Sequence, residues 1–338
     1  MNKEKISKII RATAFLLCAV TVFCVASSIY ERKTYSGAWN YMGKLNEFYN
    51  MEENSVDYIG LGSSHMYCTL NPLEVWDESG IPGFVLATQQ QPLTATYYYL
   101  KEAFKTQSPK YVILEGYMAI GGEQAEEGVI YDAVDPLKPS LNKIQLINAL
   151  VDEDDRPNYI FNVLKYHSRW KDVTLKEAEL AFDHKDDIYK GFVPLNGSFA
   201  AVNKIPDYSK ATAGDIGEHN KKALADILAV TKENGAELVI MIAPYDAENE
   251  KILSAMKSVR DWAEENSVEV LDYSLRLDEL SIDPAADYYD GSHLDTSGAA
   301  KISREIAKYL ENNAIAENEN VNKEKWNSDL DIYRKNFG

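Results

Sequence analysis

Apolar residues recur along this chain in two rhythms, and their alternation sets the fold expectation. Short runs at 58–61, 84–87, 111–114, 238–243 and 268–271 are apolar and near-continuous, as strands buried on both faces require. Between several of them apolar residues return every three to four positions: Tyr97, Leu100 and Phe104 within 94–104; Leu224, Ile227 and Leu228 within 221–232; and Met256, Val259 and Trp262 within 252–262. The same spacing places Ile302, Ile306 and Leu310 on a helix near the C-terminus. Strands alternating with helices predict an α/β fold: a three-layer, doubly wound, mostly parallel sheet of the flavodoxin-like kind. Residues 55–312 are expected to form that domain. The alternation lapses from about 120 to 215, a stretch rich in Asp, Pro, Tyr and Lys, which is read as an insertion near the carboxyl edge of the sheet. The tail, 313–338, is polar until Trp326, Leu330, Ile332 and Tyr333, which are expected to dock a last helix.

A third pattern opens the chain. Residues 12–30 hold 19 positions without a charge, about enough to cross a bilayer core of roughly 30 Å. Before them stand Lys3, Lys5, Lys8 and Arg11 against Glu4, an excess that favours a cytoplasmic N-terminus and export of the rest. Residues 1–33 are therefore read as a cytoplasmic tip and transmembrane anchor, and 34–54 as a linker. A signal peptide is the alternative, although the apolar run exceeds a usual signal core of about 7–15 residues.

Charge narrows the ligand classes. Residues 1–33 contain six of the 35 basic and two of the 53 acidic side chains, leaving 29 against 51 and a net charge of −22. Such a surface repels polyphosphates, so no nucleic-acid partner is expected. Cys18 and Cys24 lie in the apolar run and only Cys68 lies beyond it, which excludes an intrachain disulfide in the exported part.

Two short motifs carry candidate chemistry. Gly62-Ser63-Ser64-His65 follows the first strand, where open α/β sheets place their reactive groups, and Asp290-Gly291-Ser292-His293 precedes the last helix of the domain. A serine hydroxyl needs a base to take its proton, an acid to orient that base, and donors for the developing oxyanion. Ser64, His293 and Asp290 supply the first three roles, and this chemistry requires no cofactor and no metal. His65 either touches substrate or caps the following turn, and Cys68 is read as a small buried residue. Glu115, ending the third strand on the same edge, is a candidate for a substrate hydroxyl or for a structural hydrogen bond. His167, Arg169 and Trp170 would grip a sugar or an anion, or else pack a helix end. The acidic run 183–187 reads as a solvated charge cluster rather than a metal site, since Lys185 interrupts it. Asn196-Gly197-Ser198 reads as a turn, and as a glycosylation acceptor only in a host that glycosylates.

Gly62-Ser63-Ser64 after an apolar strand, with Asp290-Gly291-Ser292-His293-Leu294-Asp295 and Gly298 before the last helix, resembles the SGNH/GDSL hydrolase superfamily. That likeness selects Ser64 over Ser63 as the nucleophile. The Gly-Ser-Ser variant, the N-terminal apolar run, Gln91-Pro92-Leu93, Tyr166-His167-Ser168-Arg169-Trp170 and Lys190-Gly191-Phe192 are similar to exported bacterial proteins of the DltD-like kind. The resemblance covers roughly 55–120 and 235–310. It implies a membrane-anchored, extracytoplasmic enzyme that transfers or removes an O-acyl group, acetyl being the expected one, on a cell-envelope polysaccharide. An integral-membrane O-acyltransferase is the partner it implies. The superfamily's middle blocks supply Gly and Asn to the oxyanion hole, whereas here they read Ala87-Thr88-Gln89-Gln90-Gln91 and Glu115-Gly116-Tyr117-Met118. The Ser64 N–H and a donor from Gln89, Gln90 or Gly116 would have to serve. The competing expectation is a non-catalytic carbohydrate-binding or scaffold protein assisting a membrane acyltransferase.

Overall fold

The computed structural model describes residues 3–30, 41–120, 125–181, 187–197, 206–212, 214, 216–245, 250–313, 315 and 317–337. Along the chain lie α1 (Lys3–Tyr30), α2 (Tyr41–Asn50), β1 (Tyr58–Gly62), α3 (Ser64–Tyr67), α4 (Pro72–Ser79), β2 (Gly83–Ala87), α5 (Leu93–Ala103) and β3 (Tyr111–Glu115). The insertion then supplies α6 (Glu127–Val134), α7 (Leu141–Leu150), α8 (Arg156–Ile160), α9 (Asn162–Tyr166) and α10 (Leu175–Leu180). The alternation resumes with α11 (Gly217–Glu233), β4 (Glu237–Ile242), α12 (Glu250–Glu265) and β5 (Glu269–Asp272), and the chain closes with α13 (Thr296–Asn312) and α14 (Lys323–Phe337).

The five strands form one all-parallel sheet in the order β2–β1–β3–β4–β5. Successive side chains of a strand point to opposite faces, and both faces are covered here. Ile59, Leu61, Val112, Leu114 and Ile240 pack with Leu100, Leu224, Ile227 and Val259 of α5, α11 and α12. Tyr58, Val85, Ile113, Val239 and Met241 pack with Met66, Leu70 and Val75 below α3 and α4, and with Ile302, Ile306 and Leu310 of α13. Strands β1, β2 and β3 are fully buried and β4 is buried beyond Glu237, whereas β5 at the sheet edge is exposed at Glu269 and half-buried at Val270 and Leu271. From β1 the chain steps outward to β2, then crosses back to β3 on the other side, so a crevice opens between the carboxyl ends of β1 and β3.

Three expectations change in detail. Within the stretch read as linker, residues 41–50 form α2, and Leu45 and Phe48 enter the core. The C-terminal helix docks through Trp326, Leu330 and Tyr333, spaced four and three apart, against Leu73, Trp76 and Phe192, which leaves Ile332 on the outer face. The insertion is helical, and its end is fastened to the body: Val85 N–H of the edge strand donates to Lys190 O at 2.9 Å. The Lys190 ammonium is buried between Glu47 Oε1 at 3.1 Å and Asp329 Oδ2 at 2.5 Å, tying the insertion to α2 and α14. Helix α1 is long and apolar enough to span a membrane or to serve as a signal sequence, and no residue of it is buried in the protein.

Candidate active site

Strand β1 ends at Gly62, whose φ is +151°, and a Cβ there would stand 2.9 Å from the Cβ of Glu115 on β3. Glycine is the residue that tolerates both the backbone angle and the approach. The chain then turns through Ser63 into α3, and Ser64 occupies its first position, partly exposed at the β1/β3 crevice. Ser63 is fully buried and its hydroxyl makes no hydrogen bond. The two adjacent serines are thus separated by burial, with only Ser64 facing outward.

His293 and Asp290 reach this place on a braced turn. Tyr288 and Leu294 form an antiparallel bridge and are both buried, and Tyr289 N–H donates to His293 O at 2.9 Å. Asp295 caps α13 by accepting from the N–H groups of Ser297 and Gly298. A Cβ at Gly298 would stand 2.4 Å from Asp287 O, which explains the glycine two residues into the helix. The loop also meets the insertion, since Thr296 N–H donates to Leu195 O at 2.9 Å.

The result is a continuous hydrogen-bonded chain. His293 Nε2 lies 2.9 Å from Ser64 Oγ, and His293 Nδ1 lies 3.0 Å from each Asp290 oxygen. Asp290 Oδ1 also accepts from Ser292 N–H at 2.8 Å and from His293 N–H at 2.9 Å. Burial works against ionisation of Asp290, but the His293 ring and these backbone donors outweigh it and hold the carboxyl below its usual range. An ionised Asp290 fixes the proton of His293 on Nδ1 and leaves Nε2 as the acceptor facing Ser64.

Around this chain the structure sorts the other candidates. Gly116 N–H donates to Met241 O at 2.9 Å as part of the sheet, so it is not available to an oxyanion. Gln89 and Gln90 are exposed past the end of β2; Gln89 N–H donates to the Tyr41 hydroxyl at 3.1 Å, and Gln90 has a left-handed φ of +48°. Gln91 is buried and accepts from Thr88 N–H and Oγ1 while donating to Thr96 Oγ1, so it braces that loop. Arg169 is not at the site: its guanidinium donates to Tyr30 O and to Glu177 Oε1, which anchors the end of α1 to the insertion. His167 Nδ1 contacts Leu164 O, and Trp170 is exposed on the same part of the insertion. Of the run 183–187, only Asp187 lies among the described residues; it is buried and accepts from Gly191 N–H. Ser198 lies outside the described residues, and Asn196 Oδ1 accepts from Thr296 Oγ1.

Glu115 and His65 form an uncharged floor. Glu115 Oε1 accepts from Tyr117 N–H at 2.9 Å, while Oε2 is buried without a partner. Burial pushes its carboxyl up to about 8, so it is mostly protonated at neutral pH. His65 neither caps the turn nor faces solvent; its ring stacks on Tyr117, with centroids 3.9 Å apart, and lies 5.1 Å from the His293 ring. Burial, with His293 adding repulsion, pushes it down to about 3. Both groups stay neutral, so neither competes with Asp290 for the charge of His293. Tyr117, within the stretch 115–118, and Tyr41, within the stretch read as a linker, carry no chemical signal in the sequence and enter the site only through the fold. No protein-family model and no curated protein sequence matches this chain.

Proposed function

We propose that the chain is a membrane-anchored, extracytoplasmic SGNH-like enzyme that transfers or removes an O-acyl group, with acetyl the expected one, on a cell-envelope polysaccharide. The observation that carries this reading is the unbroken Ser64–His293–Asp290 hydrogen-bonded chain at the switch point of the sheet. Ser64 Oγ attacks the acyl carbonyl carbon as His293 Nε2 takes the hydroxyl proton. Collapse of the tetrahedral adduct breaks the bond to the leaving alcohol oxygen, which receives that proton, and leaves acyl-Ser64. A sugar hydroxyl or water then repeats the sequence in reverse, returning the proton to Ser64. The oxyanion takes the Ser64 N–H, which as the first helical residue has no acceptor within α3. With the N–H groups of Gly116 and Gln89 committed elsewhere, the second donor is Gln90 N–H or a side-chain amide of Gln89 or Gln90.

A cleft of about 430 Å³ begins at Gln89 and supports a glycan acceptor. It is lined by Tyr41 and Tyr166, whose rings offer edges and faces for sugar C–H groups, by Tyr131, whose ring is covered by Tyr159 and the Lys165 ammonium, and by Glu127 and Asp132, whose oxygens accept sugar hydroxyls. The basic cluster in the first turns of α1 supports a cytoplasmic N-terminus with the sheet domain outside. An integral-membrane O-acyltransferase would deliver the acyl group on that side.

The test is covalent. The full chain treated with a fluorophosphonate should carry an adduct that mass spectrometry places on Ser64, and Ser64→Ala should carry none. A folded chain that takes no label, with Ser64→Ala still functional in cells, overturns the enzyme and leaves the carbohydrate-binding scaffold.

A further inference from the structure

The insertion meets α1 along its last third. Phe23 and Phe161 pack edge to face at 5.6 Å, and Arg169 holds Tyr30 O where the helix ends. Between them runs an open groove of about 810 Å³, mostly apolar, with Val20 and Phe23 on one wall and Ile144, Ile147, Ile160 and Phe161 on the other. Val20 is 52% exposed and Phe23 39%, so the wall belonging to α1 is not closed by protein. Leu164, Trp170 and Leu175 of the same insertion are also exposed, Leu175 at 85%. A contiguous apolar patch of this kind on a soluble surface needs an occupant.

Depth and charge identify the occupant. Phe161 meets α1 seven residues before Tyr30, roughly 10 Å along the helix at 1.5 Å per residue. Interfacial helices sink their apolar side about 5–10 Å into a bilayer. From the start of α8 to the end of α10, residues 156–180 carry Arg156, Lys165, Arg169, Lys171 and Lys176 against Asp172, Glu177 and Glu179, a local excess of two positive charges in a domain whose net charge is −22, with Arg169 paired to Glu177. That reversal matches an anionic leaflet surface, and Trp170 beside Lys171 has the amphipathic character of a residue at the headgroup level.

We propose that the insertion is a second membrane contact: α8–α10 rest in the leaflet from which α1 emerges, and an acyl chain of a membrane lipid lies in the groove between α1 and the insertion. The proposal rests on α1 spanning the bilayer, and not on the chemistry of Ser64. It fixes the height of the sheet above the membrane and faces the glycan cleft, which shares Met42, Asp135 and Pro136 with the groove, toward the lipid surface.

The test places the full chain in vesicles of phosphatidylcholine and phosphatidylglycerol that carry a diazirine in the acyl chain. After photolysis, mass spectrometry should find lipid adducts both on α1 and on peptides covering 136–147 and 156–171. Ile144→Trp, which fills the groove, and Phe161→Asp, on its exposed rim, should each lower the insertion adducts at least several-fold, leaving those on α1 and the melting temperature unchanged. Adducts confined to α1 in a folded, vesicle-bound chain overturn the contact. A chain that fails to float with the vesicles overturns the anchor, and the contact with it.

Discussion

At the carboxyl edge of the sheet both oxygens of Asp290 and both ring nitrogens of His293 have partners, whereas α7 to α10 leave Leu141, Phe161, Trp170 and Leu175 in the open. The first region is held by the fully buried central strands of a parallel sheet, so side chains arriving from the end of strand 58–62 and from the turn 288–294 meet within hydrogen-bond distance. The second has no strand of its own among the described residues and buries only one side of its short helices. It borrows rigidity where it is fastened, at Lys190 and at the contacts with α1. A catalytic constellation needs the former kind of support, because positioning errors near 1 Å erode the chemistry. A surface that meets a fluid partner needs only shape and polarity.

Four perturbations sharpen that contrast, beginning with the largest effect. His293→Ala should slow fluorophosphonate labelling of Ser64 by about 10³-fold or more, and Asp290→Asn by a comparable order, with melting temperatures unchanged; equal labelling in either variant would show that the geometry is idle. Lys190→Met should destabilise the fold by about 3 kcal/mol in denaturant titrations, since Glu47 and Asp329 would keep only Lys325, at 3.2 and 3.6 Å, for both buried carboxylates. A loss well under 1 kcal/mol would mean that the insertion is not fastened there.

The third perturbation uses pH. A carboxyl raised to about 8 on folding binds a proton that the unfolded chain releases, so its contribution is complete below the unfolded value and is lost as pH rises toward 8. His65, lowered to about 3, acts with the opposite sign, losing stability as pH falls below its unfolded value. The two oppose each other from roughly pH 4.5 to 6.5, and Glu115 acts alone from about 6.5 to 8. Glu115→Gln should therefore remove a decline in stability on the order of 1 kcal/mol per pH unit across that upper window, read as melting temperature against pH. The smallest effect belongs to the insertion. Thr174→Ala deletes the capping box of α10, in which Thr174 Oγ1 accepts from Glu177 N–H and Glu177 accepts from Thr174 N–H. About 1 kcal/mol of local stability should disappear by hydrogen exchange, with Ser64 labelling unaltered.

How much of this was legible before the fold was seen differs by element. All five strands lay where apolar runs predicted them, with ends shifted by one residue, because strands β1 to β4 are covered on both faces and so are almost wholly apolar, while the half-exposed edge strand β5 keeps Val268, Val270 and Leu271 around Glu269. Helix α2 was missed since its buried face includes Lys44 and Glu47, polar residues that only a distant partner explains: Lys44 donates to Gly191 O, 147 residues away, and Glu47 meets Lys190. Arg169 looked like an anion-binding residue because a guanidinium in a sequence carries no partner, and its partners came from Tyr30 and Glu177. Gly116 resembled an oxyanion donor until the register of β3 against β4 placed its N–H on Met241 O.

The sequence by itself determined the alternation of strands and helices, the apolar N-terminal helix, the acidic balance and the two motifs that hold the candidate serines, histidine and aspartate, since each follows from residue types and local spacing. Only the tertiary structure decided that Ser64 and His293, 229 residues apart, stand 2.9 Å from each other, that Ser63 is buried while Ser64 faces out, and that Glu115 and His65 are neutral. Distances and ionisation states depend on burial and on partners distant in the chain, and a one-dimensional pattern holds neither.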